Sequence, residues 1–273
     1  MAQLGFAECE GAPRDLGFDQ GHALRDEIRA DLRALGWEPP RGAFARWRRG
    51  ARPPGFDVPF ARALARHFPH LDERLAGLAD GAGSGRDWVG ALAAHELATA
   101  LAARVRCDAG GIELRWREPV PPTGLAVRRA RPDGGYANVA VTRPGVVFAI
   151  AGVNEHGLAG AVQVERPAQA GDPCAAPGAL LLEQCIERLD SVEKALEWCE
   201  RRPGGGAATL VFVDASGARG ALAVDGAKRV RIVAPVAPLD GAGLLVRIDA
   251  AARTIEVVEA GLAARRFALA SGS

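Results

Sequence analysis

Hydrophobic positions along this chain change their spacing near residue 98. Before it they recur three and four residues apart: in "PRDLGFDQGHALRDEIRADLRAL", Leu24, Ile28 and Leu32 form one stripe, the pattern of a helix with one buried face. "VPFARALARHF" opens on a proline suited to a first helical turn, "DERLAGLADGAG" runs into helix-stopping glycines, and Asp87 is placed to cap "WVGALAAHEL". The first hundred residues are therefore expected to be mostly helical. From about Ala98 apolar residues alternate with polar ones, and turn signals such as "DAGG", "RPDGGYA", "VNEHG" and "VDASGA" punctuate the runs. Four hairpins are predicted: "GLAVRRARPDGGYANVAVTR", "VVFAIAGVNEHGLAGAVQV", "ATLVFVDASGARGALAV" and "AGLLVRIDAAARTIEVVEAG". Two helices interrupt them, "PGALLLEQCIERL" behind Pro177 and "SVEKALEWCERR" capped by Ser191 and stopped by Pro203 and a glycine run. Hairpins on both sides of a helical pair predict an α+β fold, two antiparallel sheets covered by helices.

Composition narrows the partners. The 273 residues are 48% hydrophobic, enough for a sizeable core, and 34 basic against 33 acidic side chains leave a net charge of +1. No global field draws nucleic acid or an anionic membrane, so a small molecule or a peptide is the expected partner. The basic stretch "RGAFARWRRGARPPGF" is read as a solvated charged face, with no nucleic-acid partner expected. The first residues lack the pattern of a signal peptide and no apolar run approaches a membrane span, which predicts a cytoplasmic protein with no membrane contact.

Five cysteines without a CxxC pair argue against a disulfide framework and a structural zinc site. The five histidines show no metal-ligand spacing, and "GLADGAGSGRD" lacks the preceding strand and the lysine of a phosphate loop. Neither a metal nor another cofactor is expected.

Three stretches carry a resemblance. "EGAPRDLGFDQGHALRDEI" (Glu10 to Ile28), "FPHLDERLAGLADGAG" (Phe68 to Gly83) and "AGVNEHGLAGAV" (Ala151 to Val162), in this order and at these distances, resemble the acyl-coenzyme A:6-aminopenicillanic acid acyltransferase-like family of N-terminal-nucleophile hydrolases, relatives of bile-salt and penicillin V hydrolases. The resemblance implies a four-layer αββα sandwich, with a helical pro-segment-like region over 1–97 packed on a sandwich core over 98–273 as one compact unit. It also implies self-cleavage before a catalytic cysteine at the head of a central strand. The freed α-amine then serves as general base for the thiol in amide hydrolysis or acyl transfer.

The cysteine of that motif is missing here. Aligned on the turn "DAGG", Ala98-Thr99-Ala100-Leu101 falls on the nucleophile motif, and Arg115-Trp116-Arg117-Glu118 falls on the family's arginine-to-aspartate strand end, 17 and 20 positions beyond Ala98. Four readings stand side by side: an engineered alanine that silences a cysteine, a natural non-catalytic relative, Thr99 as nucleophile, and Cys107 as nucleophile. Arg115 is the candidate fixed cation and Glu118 the candidate partner of the α-amine, one methylene longer than the family's aspartate. Asn154 in the hairpin turn and Gln163, displaced by one from a family asparagine, are the candidate oxyanion donors. The function expected is an amidohydrolase or acyltransferase on a small amide or acyl-amine, with Ala98 in the nucleophile slot. The alternative is a non-catalytic protein that binds a small ligand or peptide in the same cleft.

Overall fold

The computed structural model describes residues 4–37, 58–98, 103–108, 110–116, 124–166, 177–203, 205–235, 244–258 and 263–269. Two sheets face each other. The larger runs β1(Gly5–Gly11), β4(Ala126–Pro132), β5(Asn138–Thr142), β6(Ala151–Asn154), β7(Ala159–Arg166), β8(Ala207–Val213), β9(Arg219–Asp225) and β10(Lys228–Ile232), in that spatial order. The smaller runs β13(Arg265–Ala268), β12(Thr254–Val258), β11(Leu245–Asp249), β3(Gly111–Trp116) and β2(Ala103–Asp108). The four predicted hairpins form, as β4–β5, β6–β7, β8–β9 and β11–β12, all antiparallel. One buried apolar cluster runs from Leu4 to Phe267.

The two sheets differ in what covers them. β5 and β6 are buried on every residue, because helices α6(Gly178–Arg188) and α7(Val192–Glu200) stand on one side of the larger sheet and the smaller sheet on the other. Strands enclosed on both faces read as continuous apolar runs. β2, β3 and β12 alternate strictly, with Val105, Leu114 and Ile255 turned inward and Arg106, Glu113 and Glu256 on the outer face. Among the described residues this is an α+β sandwich of two sheets and seven helices.

Several local expectations are corrected. The segment before residue 98 is not all helix: "GFAECEG" is β1, a seven-residue strand with Gly5, Ala7 and Cys9 buried, paired in parallel with β4. Its small side chains give a weak period-two signal. Helix α5(Arg86–Ala98) starts on the Gly85 carbonyl, which accepts from Trp88 N and Val89 N, so Asp87 lies in the first turn and is not the cap. Ser191 occupies the N-cap of α7, but its side chain makes no capping bond; the Val192 N–H donates instead to the Asp214 carboxylate at 3.2 Å. A tertiary contact has replaced the local one. In the "VVFAI" arm only Ala151–Asn154 is strand, and residues 143–150 pass through the core without regular structure.

Such a buried irregular segment needs partners for its backbone, and side chains supply them. The Gln20 amide donates to the carbonyls of Pro144 (3.1 Å) and Val146 (2.8 Å), and the Thr142 hydroxyl to Phe148 O (2.7 Å). Arg128 donates to Val147 O at 3.2 Å, while Glu183 accepts from Ala149 N at 2.7 Å. Glu183 also accepts from Arg74 at 2.6 Å and from Arg128, and Arg74 pairs with Glu187. All four charges are nearly fully buried. They tie α4(Pro69–Ala82), β4 and α6 to the irregular segment.

Helices α1(Pro13–Ala23) and α4 meet through glycine pairs four residues apart, Gly17 with Gly21 and Gly77 with Gly81. Gly81 therefore lies within the helix as a packing surface. The stop is Gly83, which takes the left-handed conformation at φ 62°. α2(Arg25–Ala34) and α3(Val58–His67) are the remaining helices among the described residues.

Candidate functional site

Ala98 ends helix α5, and β2 begins at Ala103. Ala98 thus lies in a helix where a strand start was expected, because "AHELA" consists largely of strong helix formers. The side chain of Ala98, and Thr99 and Glu118 entirely, lie outside the described residues, as does the basic stretch at 41–52. Arg115 is half-buried on β3 between the inward-facing Leu114 and Trp116, so it belongs to the outer face of the smaller sheet, in register with Arg104.

That outer face carries a row of alternating charge one step further along the strands. Arg106, Glu113, Arg247, Glu256 and Arg266 are direct cross-strand neighbours on five consecutive strands. Glu113 accepts from Arg106 Nε at 2.9 Å and from Arg247 Nε at 3.1 Å; Glu256 lies 3.6 Å from Arg247 and 3.9 Å from Arg266. Opposite charges placed directly across a sheet stabilise it by roughly 0.2–1 kcal/mol per pair. Beyond the row, a concavity of about 250 Å³ opens toward the hairpin turns, lined by Asp108, Asp249 and Thr254 as well as by Arg106, Glu113 and Arg247. Guanidinium and carboxylate groups side by side suit a small polar ligand that carries both donors and acceptors. The register that makes these charges a ladder was not visible in the sequence.

The other predicted residues fall elsewhere. Cys107 is 1% exposed, faces the space between the sheets, and burial pushes its thiol up, the wrong direction for a nucleophile. Gln163 reaches across from β7 and accepts from Val105 N at 3.3 Å, and Pro235 O accepts from Cys107 N at 2.7 Å. Together they cover the outer edge of β2. Near Gln163, the Thr209 hydroxyl donates to Glu165 at 2.9 Å, a polar pair the sequence did not single out.

Asn154 is fully buried and its amide is committed to the fold. Nδ2 donates to Ile186 O (2.9 Å) and Leu189 O (2.7 Å), and Oδ1 accepts from His156 N and Leu158 N. It pins the tight turn, in which Gly157 has φ 81°, to the end of α6. Gln163 lies four residues up β7 from Ala159, about 13 Å at ~3.3 Å per residue, and faces the smaller sheet. The structure does not bring the two amides together.

A second buried charge cluster stands behind α5. Arg143 pairs with Glu96, two residues before Ala98, and Asp31 lies beside them at 5% exposure. Burial raises the Asp31 carboxyl from 3.8 to about 7, with Arg143 opposing and Glu27 adding to the rise. The folded chain then holds more protons than the unfolded chain between those values. Asp31 contributes stability below about pH 4 that is lost as pH rises through 7, at most roughly 4 kcal/mol. Asp31→Asn is expected to flatten the pH dependence of urea-unfolding stability in that window and to raise stability at pH 8; an unchanged slope would place the titration elsewhere.

No protein-family model matches the chain, and no curated protein matches its sequence. Among solved structures it is similar to penicillin V acylase from Agrobacterium tumefaciens, with 13% identity over 58% of this chain and 82% of that one and a TM-score of 0.42.

Proposed function

We propose that this chain is built on the plan of the N-terminal-nucleophile amide hydrolases and binds a small amide, an acyl-amine or a short peptide without cutting it. The observation that carries the reading is that no cysteine stands in the nucleophile slot. Position 98 is alanine at the end of a helix, and the nearby thiol of Cys107 is turned into the core. The charged concavity on the smaller sheet is the place proposed for the ligand. The sequence resemblance supports the plan.

A second reading, an active amidohydrolase or acyltransferase, is favoured by one spacing: Thr99 precedes Arg115 by 16 positions, close to the family's interval, and a freed threonine amine can serve its own hydroxyl. Intact-mass spectrometry of the protein and of Ala98→Cys separates the two. On the binding reading both remain single full-length chains. Cleavage between Leu97 and the introduced thiol would mean that the alanine silences a working enzyme, and cleavage of the unaltered chain before Thr99 would establish the second reading.

A further inference from the structure

We infer that Cys185 and Cys199 are a disulfide-forming pair that staples helix α7 to helix α6. Their sulfurs lie 3.4 Å apart, each thiol in hydrogen-bonding reach of the other, and both residues are fully buried. They are separated by 13 residues in a chain whose cysteine spacing suggests no disulfide. The two helices, joined only through Leu189, Asp190 and Ser191, place the thiols on facing sides of one crossing. Small Ala195, also fully buried, lies on the same side of α7 with its carbonyl 4.0 Å from the Cys185 sulfur. Cys9 and Cys107 belong to other strands, β1 and β2.

The reaction needs a two-electron oxidant, and a peroxide is the class proposed. One thiol gives up its proton, its thiolate attacks a peroxide oxygen, the O–O bond breaks, and the hydroxide that leaves takes up that proton, so that the products are a sulfenic acid and water. The second thiolate attacks that sulfur; the S–S bond forms, the S–O bond breaks, and hydroxide leaves to take up a proton. Two thiols and one hydrogen peroxide thus give one disulfide and two waters, the two electrons passing from sulfur to oxygen.

Access sets the rate. Burial, and then the neighbouring thiol, hold the Cys185 thiol well above its ordinary value, so the closed structure presents little thiolate. α7 is the element able to open. It is nine residues long, Glu193, Lys194, Glu197 and Glu200 face solvent, and the ion pairs of Arg231 with Glu193 and Glu200 that hold its outer side are themselves exposed. Short helices with exposed anchors open at lower cost than the whole domain.

The test treats the full chain with dilute hydrogen peroxide, with and without urea below the unfolding transition, and reads intact mass and a non-reducing peptide map. The expected result is loss of two hydrogen atoms, a linked peptide joining Cys185 to Cys199, and a rate that rises several-fold in the urea. In Cys199→Ala the linked peptide disappears and Cys185 gains oxygen instead. Because that variant also opens a cavity, the map of the unaltered protein decides. Five titratable thiols persisting in the urea, oxygen added to a single cysteine of the unaltered chain, or a link to any other cysteine would overturn the inference.

Discussion

Glu183→Ala is expected to destabilise the protein by about 3–5 kcal/mol, the cost of breaking a buried ion pair and leaving its partners uncompensated. The carboxylate accepts from three donors, Arg74, Arg128 and the Ala149 N–H, and none of the three has water to turn to. Two guanidinium groups at 1% exposure would share only Glu187, which pairs with Arg74 alone. In a chain of this size the loss corresponds to a fall in Tm of roughly 6–20 °C. The comparison is Glu193→Ala on α7, which removes an exposed partner of Arg231 and is expected to cost less than about 1 kcal/mol. If urea denaturation found the two variants alike, the network would not be what holds residues 143–150 in place.

Gly77→Ala is the other large effect. A Cβ at Gly77 would stand 1.9 Å from Arg14 O, and one at Gly17 would stand 1.9 Å from Arg74 O; Gly21 and Gly81 meet carbonyls at 2.2 and 2.1 Å. Each obstacle is backbone, so no rotamer change relieves it and the helices must separate. Overpacking typically costs 1–3 kcal/mol, and with two rigid helices the upper part of that range is expected. The gain of about 1 kcal/mol from replacing glycine within a helix offsets part of it, which leaves a net loss near 2 kcal/mol by thermal or urea unfolding. Adding Gly17→Ala should cost less than the sum of the single changes, because both push the same pair apart. A Gly77→Ala protein more stable than its parent would mean that helix propensity outweighs the contact. Separating α4 from α1 also displaces Arg74, so this variant weakens the same network that Glu183→Ala removes.

The candidate site was partly legible. Spacing singled out Arg115 as a cation beside the nucleophile; the structure shows only that it lies on the outer face of the smaller sheet, in the row next to the charge ladder. Gln163 and Asn154 were implied by the family resemblance, but only three-dimensional placement shows that one covers the edge of β2 and the other locks a turn onto α6. The signal for Asn154 was ambiguous from the start, since asparagine before glycine favours a tight turn whatever else it does. Nothing in the spacing of Arg106, Glu113, Arg247, Glu256 and Arg266 foretold a row, because cross-strand register depends on how separate hairpins dock.

By itself the sequence determined the local elements: the helical stripe of Leu24, Ile28 and Leu32, the four hairpins, the helices after Pro177 and Ser191, and the α+β class. These follow from side-chain periodicity and turn chemistry, which act over a few residues; the one departure in the stripe is Leu24, which stands between α1 and α2 where the predicted helix breaks. It also presented the alanine at 98, a matter of covalent chemistry alone. Tertiary structure decided the rest: that Gly17, Gly21, Gly77 and Gly81 form a helix crossing, that Asp214 caps α7, that Arg74, Arg128, Glu183 and Glu187 meet around an irregular buried segment, and that Cys185 faces Cys199. Each of these joins residues far apart in the chain or turns on which faces pack. Their energies arise only once burial has removed water from between groups that no local pattern connects.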